Sequence, residues 1–493
     1  MKKTRIAAFL LAALTLVPAV MTSCGGDDTT TTDTGATDTA SVTEAVTEPA
    51  DALEARKLVD DGVETKDFGG DSFRIVTSDG QTSYYWLEAE TGDVVDDAIF
   101  RRNSRVQERF NFTMEVVYDD SYAETSKYLN SLVSAGDDAI DLVAMHVVEA
   151  GRLAINDLFL NWYDIPNIDF SKPWWSESTA RDLTYDGVAP LAVGDFIVTA
   201  LSGTYCTFYN KSLAADYDLP DMYDVVNEGK WTIDYIISIA KDIHSDLNAN
   251  GAVDAEDLFG YASCSRSAMD AFLWAFDNPV FRREGDKLVY AYKSAKINDI
   301  VAKLVTAFNS YDGIATDNSG WNYGINTFSN GRAVFATGNI GASLWATADL
   351  DDDMGFLPYP KWDEAQEDYF TMVDGSHQAL AVPTTASKLE MIGAVTEVLN
   401  AESWKLVTPA YYDVALKVKA TRDMESVAML DLIVNSRIFD FGYVYDGWEG
   451  PCFMLEKLVR EQNTNFESAY AKEEKKITKR YETVIDFFEN YEG

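Results

Sequence analysis

The sequence predicts an α/β protein with two lobes joined by a hinge and a ligand cleft between the lobes. Strand-like and helix-like apolar patterns alternate from Phe73 to His146, which predicts parallel strands with helical crossovers. About 430 residues follow a polar N-terminal region, and this length is too great for one typical domain. A β-forming run restarts at Thr207, after Gly203, where a strand could leave one lobe and enter the other.

The first residues predict a secretion signal. Lys2, Lys3 and Arg5 precede an apolar stretch that is shorter than a membrane span. The stretch ends at M-T-S-C, which resembles a bacterial lipobox and implies cleavage before Cys24 and acylation of its thiol. We therefore expect a lipoprotein signal peptide over residues 1–23, with an ordinary signal peptide as the alternative, and an extracytoplasmic protein anchored to the cell membrane by lipid.

Residues 24–65 predict a disordered tether, because the stretch from Gly25 to Pro49 is rich in Thr, Asp, Gly and Ala and nearly lacks large apolar residues.

The charge balance restricts the ligand. The chain has 81 acidic and 40 basic residues, a formal net charge of -41. Such a chain repels phosphates, so we expect no nucleic-acid partner, and a neutral or cationic ligand fits better than an anion. The three histidines offer little for histidine-based catalysis or zinc. Cys206, Cys264 and Cys452 are widely spaced; we interpret them as buried thiols, with one disulfide as the alternative.

The first lobe is predicted element by element. The strands are 73–77, 112–118 and 139–146, and the helices between them are 94–110 and 122–135. Ligands of such sheets bind at the carboxyl ends of the strands. This rule places Thr77, Ser78, Asp79 and the loop after His146 beside the cleft.

Further along the chain, residues 191–201 predict a pair of strands around Gly194. Asn210 is a predicted N-cap after the strand that restarts at Thr207, and Thr232 is a predicted cap for an amphipathic helix over 231–244. The periodicity of apolar and polar residues predicts the remaining elements. These are helices at 299–308, 389–400 and 454–460, a helix followed by a strand over 325–336, and a strand at 355–360.

Three segments in order, F-Y-N-K from Phe208, F-S-N-G-R-A from Phe328 and G-F-L-P-Y-P from Gly355, resemble the extracellular solute-binding protein family 1, the sugar-capturing subunits of ABC importers. The resemblance spans roughly Phe73 to Phe488. It implies a periplasmic-binding-protein-like fold, with lobe one over 66–202 and 378–402 and lobe two over 203–377 and 403–493. It also implies a monomer that is not an enzyme. Such a protein captures a carbohydrate, which we expect to be an oligosaccharide, and delivers it to membrane permease subunits.

Residues 246–257, D-L-N-A-N-G-A-V-D-A-E-D, have the spacing of an EF-hand calcium loop. Gly251 stands at the sixth position, where the loop turns sharply, and the last position is Asp instead of Glu. We expect a structural calcium ion here, and the alternative is a solvated acidic turn. The predicted ligands are the side chains of Asp246, Asn248, Asn250, Asp254 and Asp257 and the carbonyl group of Ala252.

Aromatic side chains are the predicted sugar contacts, since the C–H face of a sugar ring packs on Trp and Tyr. By resemblance to the family we name Tyr209, Trp345 and Trp448, and Trp86 and Trp321 lie in predicted loops. Carboxylates accept pairs of hydrogen bonds from sugar hydroxyls, and the predicted carboxylates are Asp79, Asp374 and Asp446.

Two other functions remain open at this stage. A secreted glycoside hydrolase would need two carboxylates on either side of a cleft, and acidic residues are abundant throughout the chain. A binding protein for peptides or cationic solutes would suit the negative charge.

Overall fold

The structure, a computed structural model, describes residues 50–317, 320–347, 350–420, 423–447 and 450–491. The signal peptide, Cys24 and most of the tether lie outside these residues, as does Trp448. The strands are β1 (Asp71–Ser78), β2 (Phe112–Asp120), β3 (Leu142–His146), β4 (Tyr205–Asn210), β5 (His244–Ser245), β6 (Leu258–Cys264), β7 (Phe281–Glu284), β8 (Lys287–Tyr290), β9 (Ile314–Asp317), β10 (Ala333–Asn339), β11 (Met354–Leu357), β12 (Thr371–Met372), β13 (Gln378–Ala381) and β14 (Arg437–Ile438).

Helices surround these strands. The α-helices are α1 (Ala50–Lys57), α2 (Thr82–Tyr85), α3 (Val94–Phe110), α4 (Tyr122–Ala135), α5 (Val147–Ala154), α6 (Glu177–Asp182), α7 (Val198–Ser202), α8 (Lys211–Asp216), α9 (Met222–Asn227), α10 (Ile233–Ala240), α11 (Ser267–Ala275), α12 (Ile297–Ser310), α13 (Tyr323–Ser329), α14 (Leu389–Glu402), α15 (Met424–Asn435), α16 (Phe441–Asp446), α17 (Met454–Arg460) and α18 (Phe466–Glu489). Short 3-10 helices cover Trp162–Asp164 and Ile340–Leu344, and π-helical stretches cover Ser403–Val407 and Ala410–Ala420.

The first sheet has the strand order β13-β3-β1-β2. β1 pairs in parallel with both β2 and β3, and β13 joins the edge antiparallel to β3. The helix α3 connects β1 to β2, and it begins where the Asp93 side chain accepts hydrogen bonds from the amides of Val95 and Asp96. Its apolar stripe of Ile99, Val106 and Phe110 is buried, so this half of the chain has the predicted strand–helix alternation.

The second sheet has the order β11-β4-β10-β6-β5, and β9 also pairs with β6. β6 is parallel to β9 and β10, whereas β4 runs antiparallel to β10 and β11. Asn210 and Thr232 are the N-caps of α8 and α10, as predicted: their side chains accept hydrogen bonds from the amides of Leu213 and Tyr235. The two sheets give the predicted α/β architecture.

Three passages of the chain meet between the two sheets. Thr204, just before β4, forms a bridge with Val373, and the amide of Asp374 donates to the carbonyl of Gly203 at 2.9 Å. β12 pairs in parallel with β14. We call residues 202–204, 371–377 and 436–440 the crossing segments, because the chain passes along each of them from one sheet towards the other.

Residues 191–201 differ from the prediction. They form isolated bridges at Ala192 and Gly194, and then the helix α7 in place of the second strand. A short apolar run fits a buried helix as well as a buried strand, so periodicity cannot distinguish the two.

Residues 50–65 differ from the predicted tether. α1 lies within the stretch expected to be disordered, and the Arg56 guanidinium donates to the carbonyl of Trp404 at 3.3 Å. Asp61 is buried and forms an ion pair with Arg109 at 2.6 Å. Packing of Val63 against the core adds to these contacts, so the ordered part of the chain begins before residue 65.

The C-terminal segment is shared between the two sheets instead of serving the second alone. Ser403 lies beside α3, where its hydroxyl accepts a hydrogen bond from Arg102. In the second turn of α18, the Tyr470 hydroxyl donates a hydrogen bond to the Tyr290 hydroxyl of β8. Near its end Phe488 packs on Tyr185, in the part of the chain predicted as lobe one. The predicted assignment of all of 403–493 to the second lobe is therefore too simple.

Cys206, Cys264 and Cys452 are buried and free, in agreement with their interpretation as buried thiols. None of the helices in the described part of the chain is both long and apolar enough to cross a membrane.

Candidate ligand cleft

A cavity of about 450 Å³ lies where the two sheets face each other. We call it the cleft. Its first wall comes from the carboxyl ends of the parallel strands of the first sheet. Asp79 follows β1, Tyr122 follows β2 and His146 ends β3. This is the edge at which open α/β sheets bind ligands, and it is where the sequence placed Asp79 and the His146 loop.

The second wall comes from the corresponding edge of the second sheet. Ser267 follows β6, Trp321 follows β9 and Asn339 ends β10. Tyr205 begins β4, and because β4 is antiparallel to β10, Tyr205 lies opposite Asn339 in the ladder. The strand topology thus brings the ends of four strands to one place.

Asp374 closes the floor of the cleft, in one of the crossing segments. Its Oδ2 atom accepts hydrogen bonds from the hydroxyls of Tyr205 at 2.5 Å and Ser267 at 2.9 Å. Its Oδ1 atom accepts from the amide of Ser376 at 2.8 Å. Burial opposes ionisation of this carboxyl, but the hydrogen bonds from Ser376, Tyr205 and Ser267 outweigh burial and hold the pKa of Asp374 below its usual range.

Trp321 presents a large apolar face at the cleft. Its side chain is 66% exposed, and the guanidinium of Arg266 lies 5.2 Å from the ring centroid, a cation–π distance. Because the Trp321 indole is largely exposed, it is available to stack on a sugar ring.

A side groove of about 260 Å³ continues the cleft. Both cavities are lined by Asn339 and Ser376, and Trp345 lies in the groove. The side chain of Trp345 is 58% exposed. One Trp therefore lies at the cleft and a second in the groove that joins it.

The predicted ligand residues fall into two groups. Asp79, Trp321 and Asp374 line the cleft, and Trp345 lines the side groove. The other described ones lie elsewhere. Tyr209 is 5% exposed and stacks on Phe335 in the core, with ring centroids 5.4 Å apart.

Trp86 and Asp446 also lie away from the cleft and the side groove. Trp86 is partly buried against the core and lines neither the cleft nor the side groove. Asp446 ends α16, is 6% exposed and forms an ion pair with Arg480 at 3.0 Å. Neither is placed for the predicted ligand contact.

Sequence reasoning missed several residues that line the cleft. Tyr122 follows a predicted strand directly, and this position could have identified it. Tyr205 lies four residues before Tyr209, the tyrosine that the resemblance to the family indicates. Ser267, Tyr443 and Phe453 come from helical segments far apart in the sequence, and no local pattern indicates that they converge.

The predicted calcium loop has some features of such a site. Gly251 adopts a positive φ of 75°, as the sharp turn requires. The Asp246 carboxylate accepts hydrogen bonds from the amides of Asn250 and Gly251 at 3.2 and 2.8 Å. Asp257 is fully buried, with Oδ2 3.0 Å from Nε2 of His244 and Oδ1 without a hydrogen-bond partner.

The carboxylates of the loop do not converge. Asp254 accepts hydrogen bonds from the side-chain amides of Asn248 and Asn250, the two residues that would share a calcium ion with it. Among the residues that the structure describes, no three His, Cys, Asp or Glu side chains form a group that could hold a metal. The orphaned Asp257 oxygen fits a cation, while the remaining donors would have to turn inward to bind one.

Comparison with known proteins identifies the family. A family model described as bacterial extracellular solute-binding protein matches residues 104–396. A comparison with curated proteins finds no match.

Solved structures show the same fold at low sequence identity. UgpB from Mycobacterium tuberculosis, in complex with glycerophosphocholine, has a TM-score of 0.53 and 17% identity, covering 85% of this chain and 98% of its own. The GacH receptor of Streptomyces glaucescens, studied with acarbose, has a TM-score of 0.55 and 14% identity, covering 86% and 100%. The lacto-N-biose-binding protein of Bifidobacterium longum has a TM-score of 0.55 and 13% identity, covering 86% and 98%. With the family match over more than half of the sequence, these neighbours support one conclusion: the chain is a member of the bacterial extracellular solute-binding proteins.

Proposed function

We propose that this protein captures an oligosaccharide in the cleft and delivers it to the permease subunits of an ABC importer. The observation that carries the proposal is the pair of exposed indoles, Trp321 at the cleft and Trp345 in the groove that continues it. Two separated aromatic faces suit a ligand of several sugar rings. The protein acts as a monomer, and its two lobes, centred on the two sheets, close on the sugar.

The neighbours support this proposal. GacH was solved with acarbose, and the Bifidobacterium longum protein with lacto-N-biose. The cleft of this chain also offers hydroxyl and amide groups, from Tyr205, Ser267 and Asn339, which can exchange hydrogen bonds with sugar hydroxyls.

Tryptophan fluorescence during titration with a panel of oligosaccharides tests the proposal. A saturable change with one class of sugar, and no release of reducing ends, is expected. Release of reducing ends would favour a glycoside hydrolase instead. Asp374 is poorly suited to act as the general acid of such an enzyme, because its hydrogen bonds lower its pKa whereas a general acid needs a raised pKa.

A cationic solute is the second candidate. The net charge of -41 and the two carboxylates at the cleft, Asp79 and Asp374, favour it. UgpB was solved with glycerophosphocholine, so this molecule belongs in the titration panel. Saturable binding of glycerophosphocholine, without binding of any sugar, would replace the carbohydrate proposal.

The lipid anchor is a further part of the proposal. Acylation of Cys24 in the lipobox would hold the protein at the outer face of the cell membrane, beside its permease. Replacing Cys24 with Ser should release the protein from the membrane fraction or leave the signal uncut. A Cys24→Ser protein that is still acylated would contradict the anchor.

A structural calcium ion in the loop of residues 246–257 also remains a proposal. The buried and unpartnered Oδ1 of Asp257 supports it. Calcium that binds only the folded state raises stability by linkage, about 2.7 kcal/mol at a hundredfold excess over Kd. Chelation should therefore lower the melting temperature, and added calcium should restore it. Equal melting temperatures of wild type and Asp246→Ala, with and without calcium, would exclude the site.

A further inference from the structure

A second cavity, of about 460 Å³, lies apart from the cleft. We call it the Arg437 cavity. It shares no lining residue with the cleft. Leu201, Arg437 and Phe439, which lie in or next to the crossing segments, form one side of it. The residues that matter for its chemistry are Trp174, Asp195, Trp404, Thr408, Tyr411 and Arg437.

Arg437 is a cation without an anionic partner in the described part of the chain. Its Nε atom donates to the carbonyl of Val434 at 3.0 Å, and Nη1 donates to the carbonyl of Ala200 at 3.4 Å. These two bonds fix the plane of the guanidinium but do not neutralise it. Arg437 is half-buried, and this partial burial lowers its pKa. Such charges are normally paired.

Asp195 is the acidic counterpart on the same cavity. One of its oxygens accepts a hydrogen bond from the hydroxyl of Thr408 at 3.2 Å. The carboxylate forms no ion pair with Arg437, nor with another cation that the structure describes. Burial raises the pKa of Asp195 to about 7, although Thr408, Arg437 and Arg56 act in the opposite direction. A carboxyl group and a guanidinium group thus line the same cavity without forming an ion pair.

Aromatic rings complete the walls. The rings of Trp174 and Trp404 lie 6.1 Å apart, and the indole nitrogen of Trp174 is already bonded to Glu397 at 2.8 Å. Arg56 covers Trp404 at 5.1 Å from the ring centroid. Lys172 lies over the Trp174 ring at 5.7 Å from its centroid, so each ring already has a cationic side chain on one face and contributes apolar wall to the cavity.

We infer that the Arg437 cavity binds a small zwitterion of the amino-acid type. Its carboxylate pairs with the Arg437 guanidinium, whose planar donors match two carboxylate oxygens. Its ammonium group pairs with the Asp195 carboxylate. A zwitterion matches the cavity better than a sugar, because a sugar would leave both charges uncompensated. The inference goes beyond the proposed capture of an oligosaccharide and does not depend on it.

Titration calorimetry of the full chain with single free L-amino acids tests the inference. We expect saturable binding of at least one of them. For that amino acid, the analogues that lack the ammonium or the carboxylate group (propionate and ethylamine in the case of alanine) should bind at least about tenfold more weakly, since each loses one charged hydrogen bond. Absence of binding by every amino acid, or equal binding of the carboxylate-only analogue, overturns the inference.

Variants locate the site. Arg437→Gln and Asp195→Asn should each lower the affinity for the amino acid by at least about tenfold. Arg101→Gln is the matched control, because Arg101 is exposed and pairs with Glu90 far from the cavity lining; it should bind as the wild type does. Asp195→Asn keeps the shape of the side chain, so it decides the matter if Arg437→Gln does not fold.

Trp321→Ala separates this site from the cleft. The variant should keep its affinity for the amino acid, whatever happens to its affinity for sugar. Loss of amino-acid binding in Trp321→Ala, together with normal binding in Asp195→Asn, would place the molecule in the cleft and overturn the inference. Failure of all sugar binding would contradict the proposed function and leave this test unaffected.

Discussion

The cleft and the Arg437 cavity are almost equal in volume, about 450 and 460 Å³, but they treat their charges in opposite ways. In the cleft, the half-buried carboxylate of Asp374 accepts three hydrogen bonds, from Tyr205, Ser267 and Ser376. In the Arg437 cavity, Asp195 and Arg437 face one space without an ion pair. The pKa of Asp374 is lowered whereas that of Asp195 is raised to about 7.

This difference shows that the state of the polar groups indicates the ligand better than volume does. The Asp374 carboxylate already accepts three hydrogen bonds from the protein, so it can accept fewer from a ligand. These hydrogen bonds instead connect the segments that surround it. Recognition in the cleft then falls to hydroxyls and to the exposed face of Trp321. Uncompensated charges, in contrast, favour a ligand that carries the complementary ones.

The largest effect is expected at Asp374. Asp374→Ala removes the acceptor of two hydroxyls and one amide, and the Tyr205 and Ser267 hydroxyls are left in a buried place. We expect a loss of about 2–4 kcal/mol in the free energy of unfolding, measured by urea denaturation. Glu364→Ala, at an exposed position, is the control. Equal stability of the two variants would remove the contrast with Asp195.

The next effect concerns sugar affinity. Trp321→Ala should weaken oligosaccharide binding by about 1–3 kcal/mol, because the indole face is lost. Its melting temperature should stay the same, since the side chain is 66% exposed. Trp345→Ala should affect only sugars long enough to reach the side groove. Calorimetric titration with a series of chain lengths measures both.

Tyr163→Ala provides the control for Trp321→Ala. Tyr163 is 49% exposed and lines neither the cleft nor the side groove, so its loss should leave sugar binding unchanged. An equal loss of affinity in Tyr163→Ala, or none in Trp321→Ala, would show that aromatic exposure at the cleft does not determine recognition.

The fold followed from the sequence where periodicity was long enough. The bounds of α3, α4 and α17 were predicted to the residue, because each combines an apolar stripe with a clear start. The prediction for 191–201 was wrong, since a short apolar run has no decisive period. It also failed for residues 50–65, where polar composition hid the contacts of Asp61 and Val63.

The site was only partly predictable. Asp79 could be placed because it directly follows a strand of a parallel sheet. Asp374 was predicted from its place at the second crossing between the lobes, and Trp321 from its place in a loop. The hydroxyl donors of Asp374 come from β4 and α11, and only tertiary structure brings these segments together. The Arg437 cavity gave no signal at all, since Trp174, Asp195 and Arg437 belong to separate parts of the sequence.

A pH series is the third way to test the contrast. The pKa of Asp195 is raised by burial from an ordinary value of 3.8 to about 7. The folded state therefore holds this proton more tightly than the unfolded chain. The resulting stabilisation is complete below pH 4 and is lost as the pH rises to about 7. We expect a decline of about 1–2 kcal/mol relative to Asp195→Asn, after allowing for water in the cavity.

Urea denaturation of the wild type and Asp195→Asn between pH 4 and pH 8 measures this decline. The difference in the free energy of unfolding between the two proteins should narrow or change sign over that interval and then become constant. A difference that does not vary with pH would mean that the Asp195 carboxylate is already compensated, and the two cavities would then not differ in the way described.

The smallest effects are expected at Tyr209, and a comparison with Tyr205 on the same strand makes them informative. The two side chains are four residues apart and project to the same face of β4, but the Tyr205 hydroxyl reaches Asp374 whereas the Tyr209 ring is stacked in the core on Phe335. Tyr209→Phe should therefore leave sugar affinity unchanged and cost at most about 0.5–1 kcal/mol in stability. Tyr205→Phe removes a hydrogen bond to the Asp374 carboxylate, so it should cost about 1.5–3 kcal/mol in stability and should also alter the cleft. Titration and urea denaturation of both variants separate these roles. If Tyr209→Phe lowers sugar affinity while Tyr205→Phe does not, the ligand binds against the opposite end of β4, and the cleft described here is not the sugar site.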